Sequence, residues 1–296
     1  MSCRHCGSGQ LDRLGICAFG DRESTLLRCR QCDLTQRQPI PDETALAAMY
    51  ADTSPDAMNY AIAEHPAWST ARSLLGGRAG AALRVLDIGC HTGAFLAALP
   101  DEWQRFGIES ATGACAVARA RQVEIIAPRL QSVDADWCGQ FDAVTAFDVL
   151  EHLPDPALAL RSAARLLKPG GVMIVSTGDI DRWTFRALRG AHWYWQTEQH
   201  ISAVSRRFLV FAGRESGLVL SQFRTIAHRR APLALRLYEA MQVCYWYCRL
   251  RGGVWRAPQR LLQALPTLRH LRHAQLPAWT MTLKDHCLAV FEPASR

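Results

Sequence analysis

The sequence predicts an open α/β fold, a Rossmann-like sheet covered by helices on both faces, preceded by a small cysteine-stapled module. Three observations carry this reading. From residue 83 onward, strand-like and helix-like stretches alternate. An apolar run ending in Asp87 meets the glycine-punctuated turn Gly89-Cys90-His91-Thr92-Gly93, which leads into a helical stretch. Two C-x-x-C pairs, Cys3/Cys6 and Cys29/Cys32, stand 22 residues apart near the N-terminus.

With 296 residues the chain can hold one large domain and a smaller one. The formal charge is +7, and all cationic side chains except Lys168 and Lys284 are arginine. A bias that uniform does not by itself indicate nucleic acid, so its distribution matters more. Nine arginines and a single acid, Glu239, lie between His228 and Gln275. No apolar stretch reaches the ~20 residues that span a bilayer; the most apolar candidate, 233–248, is interrupted by Arg236 and Glu239. With no apolar leader at its start, the chain is expected to be cytoplasmic.

Residues 1–38 are short, polar and read as loop-rich, too small to fold without a staple. Eleven cysteines are an odd number, which argues against a disulfide framework. Two knuckles, each presenting two thiolates, complete a tetrahedral site of the kind that holds structural zinc, with iron or a redox dithiol as competing uses. Gly7 follows the first pair and suits the positive φ a knuckle wants, whereas Asp33 after the second suits it less well. Cys17 is surplus to four ligands.

Residues 39–80 read as a helical linker or cap. Pro39-Ile40-Pro41 marks the linker, Asp42 is a candidate N-cap, the helix runs to Leu75, and Gly76-Gly77 ends it. Tyr50 and Tyr60 lie within it. The main domain then occupies 81–296. Strands are expected at 83–88, 105–109, 123–127, 141–147 and 171–176, with helices near 93–99, 111–121 and 155–167. Lys168-Pro169-Gly170-Gly171 reads as a sharp turn before the fifth strand. A helix over 204–216, a strand over 218–226 and a strand at 287–291 close the domain.

The spacing D-x-G-x-x-x-G, with Asp87 two residues before Gly89, differs from the G-x-G-x-x-G of dinucleotide sites. It resembles motif I of the class I S-adenosylmethionine-dependent methyltransferases, departing from it in placing His91 at the middle glycine. Phe141-Asp142-Ala143-Val144, then Phe147-Asp148-Val149-Leu150-Glu151-His152, Leu166-Leu167-Lys168-Pro169-Gly170-Gly171 and Glu198-Gln199-His200-Ile201 resemble segments of the ubiquinone-biosynthesis-type methyltransferases, in order over 83–228. The resemblance implies a seven-stranded sheet whose last strand is antiparallel and pairs with the sixth. Residues 228–282 then form an insertion between the last two strands. A loop that long needs structure of its own, and 233–248 supports a helix with Ala234, Leu237, Tyr238, Met241, Cys244, Tyr245 and Cys248 on one face. A second helix near 261–268 is interrupted by Pro266.

The resemblance implies that S-adenosylmethionine is the cofactor and that Asp87 orients its amino-acid end. Gly89 and Gly93 let the backbone approach the ligand, with Cys90 and His91 in the same turn. Glu109, ending the second strand, is placed to accept from both ribose hydroxyls. No acid stands directly after the third strand, and Asp134 is the nearest one to the adenine. Phe147 and Asp148 should line the pocket beneath the transferred methyl. His152 and His200 are candidate bases, each with a structural alternative in bonding the backbone. Trp193, Tyr194 and Trp195 could stack on substrate or pack in the core.

The expected activity is methyl transfer to an oxygen, nitrogen or carbon of a small molecule: a metabolite, lipid-linked intermediate or sugar. The alternatives are an RNA or protein methyltransferase docking through its zinc module and basic insertion, and a non-catalytic cofactor binder. Phe147-Asp148-Val149-Leu150 does not match the (N/D)-P-P-(Y/F) of many base-methylating enzymes, so nucleic acid is not the expected partner. The arginine-rich stretch 228–275 is a candidate for peripheral contact with an anionic membrane.

Overall fold

The structure is a computed structural model that describes residues 1–19, 22–41, 65–78 and 82–294. The part of the expected linker helix at 42–64, with Asp42, Tyr50 and Tyr60, lies outside the described residues.

Three strands open the chain, β1 (Leu11–Phe19), β2 (Arg22–Cys29) and β3 (Thr35–Gln38). The expectation of a loop-rich N-terminus is corrected here. Leu26, Leu27 and Leu34 are buried; Leu26 and Leu27, adjacent in β2, face opposite sides of the sheet, so both of its faces are covered there. Helix α1 (Pro66–Gly76) turns Ala67, Ala71 and Leu75 inward at a spacing of four, with proline at its first position.

The main domain follows the expected alternation: β4 (Arg84–Ile88), α2 (Ala94–Ala97), β5 (Gln104–Ile108), α3 (Thr112–Ala120), β6 (Glu124–Ala127), β7 (Phe141–Phe147), α4 (Pro156–Ala164) and β8 (Leu167–Gly178). After α5 (Trp183–Leu188) and the short β9 (Ser202–Ala203) come α6 (Arg206–Glu215) and β10 (Leu218–Ile226). The insertion holds α7 (Leu233–Arg251) and α8 (Arg256–Ala264), and β11 (His286–Pro293) ends the sheet. The expected turn at Lys168–Gly171 is a bulge inside β8. Leu167 pairs with Phe141 and Val172 with Ala143, so the extra residues loop out without ending the strand.

The seven-stranded sheet has the order β10-β11-β8-β7-β4-β5-β6. Strands β4 to β8 are parallel, and β11 is antiparallel to both β8 and β10, as the resemblance implied. Successive residues alternate between its two cores: Leu86, Val144, Met173 and Val175 join one, while Val85, Ala143, Ile174 and Leu288 join the other. A second sheet, β1-β2-β3-β9, crosses the sequence. Thr35 and Gln36 pair with Ala203 and Ser202, so the N-terminal strands are completed by a segment of the main domain.

The buried face of α7 differs from the expected one. Glu239, Gln242, Val243 and Trp246 turn inward beside Tyr245 and Cys248, while Leu237 and Cys244 are exposed. The cause is polar. Thr282 donates from its backbone N and its Oγ1 to Glu239 Oε2, at 2.9 and 2.7 Å, and this rotates a carboxylate into the fold.

Candidate active site

The order β7-β4-β5 marks the point where successive crossovers change direction, and open α/β sheets bind ligands outside the strand ends at such a point. Asp87, Glu109 and Asp148 all lie there, at or just after the C-terminal ends of β4, β5 and β7. After β4 the backbone turns through left-handed residues, Gly89 at φ 70°, His91 at 47° and Gly93 at 69°. A Cβ on Gly89 would stand 2.8 Å from Val149 Cγ2, and one on Gly93 2.8 Å from Val123 Cγ2. Both glycines are therefore demanded by space as well as by φ.

Glu109 ties this turn to the next helix. Its carboxylate accepts from His91 N at 2.9 Å and from Ala111 N at 2.8 Å. A carboxylate has about four acceptor positions, so the group retains capacity for ligand hydroxyls. Asp87 is buried and accepts from Thr145 Oγ1 at 2.6 Å. Burial pushes its carboxyl up to about 7, partly offset by the Thr145 bond. Cys90 points away from the cleft into the apolar layer, where burial raises its thiol; its backbone is the part left to face a ligand. Asp134 caps its own short turn, accepting from Asp136 N at 3.0 Å on the exposed surface.

Asp148 adopts φ 54° and is held by Asp148 N to Ser176 O at 2.9 Å and by Ser176 Oγ to its Oδ1 at 3.3 Å. Two histidines that sequence reasoning missed converge on its other oxygen. His65 Nε2 lies 3.5 Å and His228 Nδ1 3.6 Å from Oδ2, and those nitrogens are 3.2 Å apart. His65 is the N-cap of α1, and its Nδ1 accepts from Ala67 N. A neutral ring bonded that way carries its proton on Nε2, so His65 is a donor toward His228 and Asp148. Burial lowers His65, and lowers His228 to about 4. Burial also works against ionisation of Asp148, but the surrounding histidines, His65 and His228 foremost, outweigh it and hold the carboxyl below its usual range.

His152 and His200 are brought together, with ring centroids 4.9 Å apart. Each meets a backbone carbonyl through Nδ1, His152 with Gln199 O at 3.1 Å and His200 with Tyr194 O at 2.7 Å. A carbonyl only accepts, so both rings donate Nδ1–H. Burial lowers both rings, His152 to about 4. Glu151, one residue before His152, is fully enclosed and accepts from Thr177 Oγ1 at 2.7 Å; burial and then Asp148 push it up to about 8. His286 closes the cluster. Burial opposes its charge, but Asp285, bonded at 2.8 Å, raises it to about 9. Trp193, Tyr194 and Trp195 are core: Trp193 donates to Asp285 Oδ2 at 3.0 Å, and Tyr194 Oη to Ser202 O at 3.0 Å.

Away from this cleft, the four thiols of Cys3, Cys6, Cys29 and Cys32 lie within 4.8 Å of one another. Cys3 Sγ to Cys32 Sγ and Cys6 Sγ to Cys29 Sγ are both 3.5 Å, and a zinc tetrahedron of thiolates needs edges of about 3.8 Å. Gly7 and Asp33 both take φ near 70°. Asp33 is held there by two bonds from Arg28, at 2.8 and 2.7 Å, and by one from Ser205 Oγ. Cys17 packs elsewhere, with Leu26, Phe185 and Trp195.

Fold and site together define a Rossmann-like methyltransferase. Residues 60–222, more than half the chain, match the methyltransferase domain family, and the chain belongs to that S-adenosylmethionine-dependent family. It is 42% identical over 108 residues to a ubiquinone biosynthesis O-methyltransferase of Xanthomonas oryzae pv. oryzae (strain PXO99A), which covers 33% of this chain and 44% of the relative. To the protein of the same description in Pseudomonas aeruginosa (strain UCBPP-PA14) it is 38% identical over 117 residues, covering 37% and 48%. The chain thus spans just under half the length of these curated relatives. Among solved structures, a chain from the complex between the Haloferax volcanii Trm112 methyltransferase activator and a methyltransferase superposes with a TM-score of 0.54. It is 18% identical, covering 86% of this chain and all of that one, which is a likeness of fold.

Proposed function

We propose that this chain transfers the methyl group of S-adenosylmethionine to a hydroxyl oxygen of a small molecule. The observation that carries the reading is the convergence of His65 and His228 on Asp148 at the sheet's ligand-binding edge. The O-methyltransferases matched over the motif region favour oxygen as the acceptor. The glycine cradle at Gly89 and Gly93 and the carboxylates of Asp87 and Glu109 fit the cofactor. Asp87 would hold its amino-acid end, and Glu109 its ribose. When bound, the cofactor supplies a methyl carbon already activated by its sulfonium. The protein's share is alignment and proton management. During methyl transfer the acceptor's hydroxyl proton would pass to the Asp148–His228 pair. His65 holds that pair by its Nε2–H. His152 and His200, fixed by backbone carbonyls, wall the acceptor side.

The deciding experiment is transfer of methyl label from S-adenosylmethionine into host extract, followed by fractionation. Label in the small-molecule or organic fraction, stable as an ether to mild base, supports the reading. Label confined to RNase- or protease-sensitive precipitate overturns it.

The buried carboxyl of Asp87 gives a pH signature. With its pKa near 7 in the ligand-free chain, the group must lose a proton before it can pair with the cofactor's ammonium. Affinity should therefore rise with pH and level off above 7, falling below that by up to about tenfold per pH unit. Calorimetry across pH, in buffers of different ionisation enthalpy, measures the released proton. A flat profile removes Asp87 from that role.

We also propose that Cys3, Cys6, Cys29 and Cys32 hold one structural zinc. Metal analysis should return one zinc per chain, and Cys29→Ser should lose it together with several degrees of thermal stability. Much less than one zinc in the unaltered protein removes the assignment.

A further inference from the structure

The insertion carries an exposed surface of its own, at the turn between α7 and α8. Helix α7 is rooted in the fold: Tyr245 and Trp246 pack with Leu188, Leu268, Leu271 and Leu283. At its far end the chain turns through Gly252 and Gly253, both at positive φ. Apolar side chains protrude there, with Val254 86% and Leu261 74% exposed and Leu250 and Trp255 also on the surface. Val254 and Leu261 line one open groove with Arg256 and Arg260. The Arg251 guanidinium lies 4.4 Å from the Tyr247 ring centroid, and Tyr247 meets Trp255 edge-on at 5.0 Å. The sole acid of 228–284 is Glu239, and its carboxylate is enclosed against Thr282. The tip is therefore apolar at its apex, aromatic behind it, and cationic around its rim.

We propose that the α7–α8 turn docks on an anionic phospholipid bilayer. Val254, Trp255 and Leu261 enter the headgroup–acyl boundary, and Arg251, Arg256 and Arg260 lie on lipid phosphates. The charge pattern selects this occupant. A second copy of the chain would bring arginine against arginine, and a nucleic acid would leave Val254 and Leu261 in water. An anionic surface with an apolar layer a few ångströms beneath it satisfies both sets, because arginine stems lie along apolar material while their heads stay with phosphate.

Co-sedimentation of the full chain with vesicles tests this without reference to methyl transfer. The protein should pellet with vesicles of phosphatidylcholine plus phosphatidylglycerol and remain in the supernatant with phosphatidylcholine alone. The double variant Val254→Asp/Leu261→Asp should bind the anionic vesicles about tenfold more weakly, with S-adenosylmethionine affinity unchanged as the control for folding. Arg256→Gln/Arg260→Gln, which adds no charge to the tip, should weaken binding too and reduce its salt dependence. Failure of the unaltered chain to pellet with anionic vesicles overturns the proposal, as does undiminished binding by both double variants. A vesicle-independent dimer that the tip variant converts to monomer also overturns it in favour of self-association, and retention by RNA but not by vesicles does so in favour of nucleic acid.

Discussion

Glu109→Ala is expected to weaken S-adenosylmethionine binding by about a hundredfold or more, measured by calorimetry. The carboxylate has two tasks that alanine removes together. It accepts from His91 N and Ala111 N, holding the left-handed turn against the start of α3. In the proposed complex it also accepts from the ribose. Hydrogen bonds to a charged acceptor contribute roughly 1.5–3 kcal/mol each, and tenfold in affinity corresponds to about 1.4 kcal/mol. Two such bonds to the ligand account for the expected loss, and a loosened turn adds to it. Glu109→Gln should recover little, because its amide would present a donor to one of the two backbone N–H groups. Unchanged affinity in the alanine variant would remove Glu109 from the cofactor site.

Asp148→Asn separates proton handling from cofactor binding. Asparagine tolerates the left-handed φ of 54° that Asp148 adopts, so the backbone should hold. What disappears is the negative charge facing His65 and His228. Positioned acid–base groups contribute about 10²–10⁴ in rate, so kcat should fall at least about a hundredfold, with cofactor affinity kept to within a few-fold. His228→Ala should lower kcat in the same direction, and adding it to Asp148→Asn should cost little more, as groups acting as one unit do. A parallel collapse of cofactor affinity in Asp148→Asn would make the residue a cofactor ligand and leave the acceptor's proton to another group.

The difference between these two residues explains what the sequence disclosed. Asp87, Gly89 and Gly93 share one contiguous strand end and turn, and Glu109 ends the neighbouring strand, so local motifs and the family resemblance they carry were enough to single them out. The antiparallel last strand, paired with the sixth, was implied by the family resemblance those motifs carry, while the full strand order came only with the structure. His65, His228 and His286 come from three distant segments, and only the docking of α1 beside the main sheet and the addition of β10 and β11 next to β8 bring them to Asp148; no local pattern marks them. Glu151 did stand inside a quoted motif, and its enclosure beside Thr177 became visible only with β8 in place. The inward face of α7 was misplaced because a buried glutamate, satisfied by Thr282, outweighed the apolar periodicity. The strands of 11–29 read as loop because the sheet they build is finished far away in the chain.

That last feature bears on how the polypeptide acquires its shape as it is made. The cysteine site needs only the first 32 residues, so it can close while the chain is still growing. The free edge of β3, however, waits for Ser202 and Ala203, about 165 residues later. During that interval a row of unpaired backbone groups faces outward, the kind of edge that recruits foreign strands. A bound metal would hold the hairpin in register until its partner emerges, so a cell short of zinc would lose newly made chains to aggregation before it lost activity in mature ones.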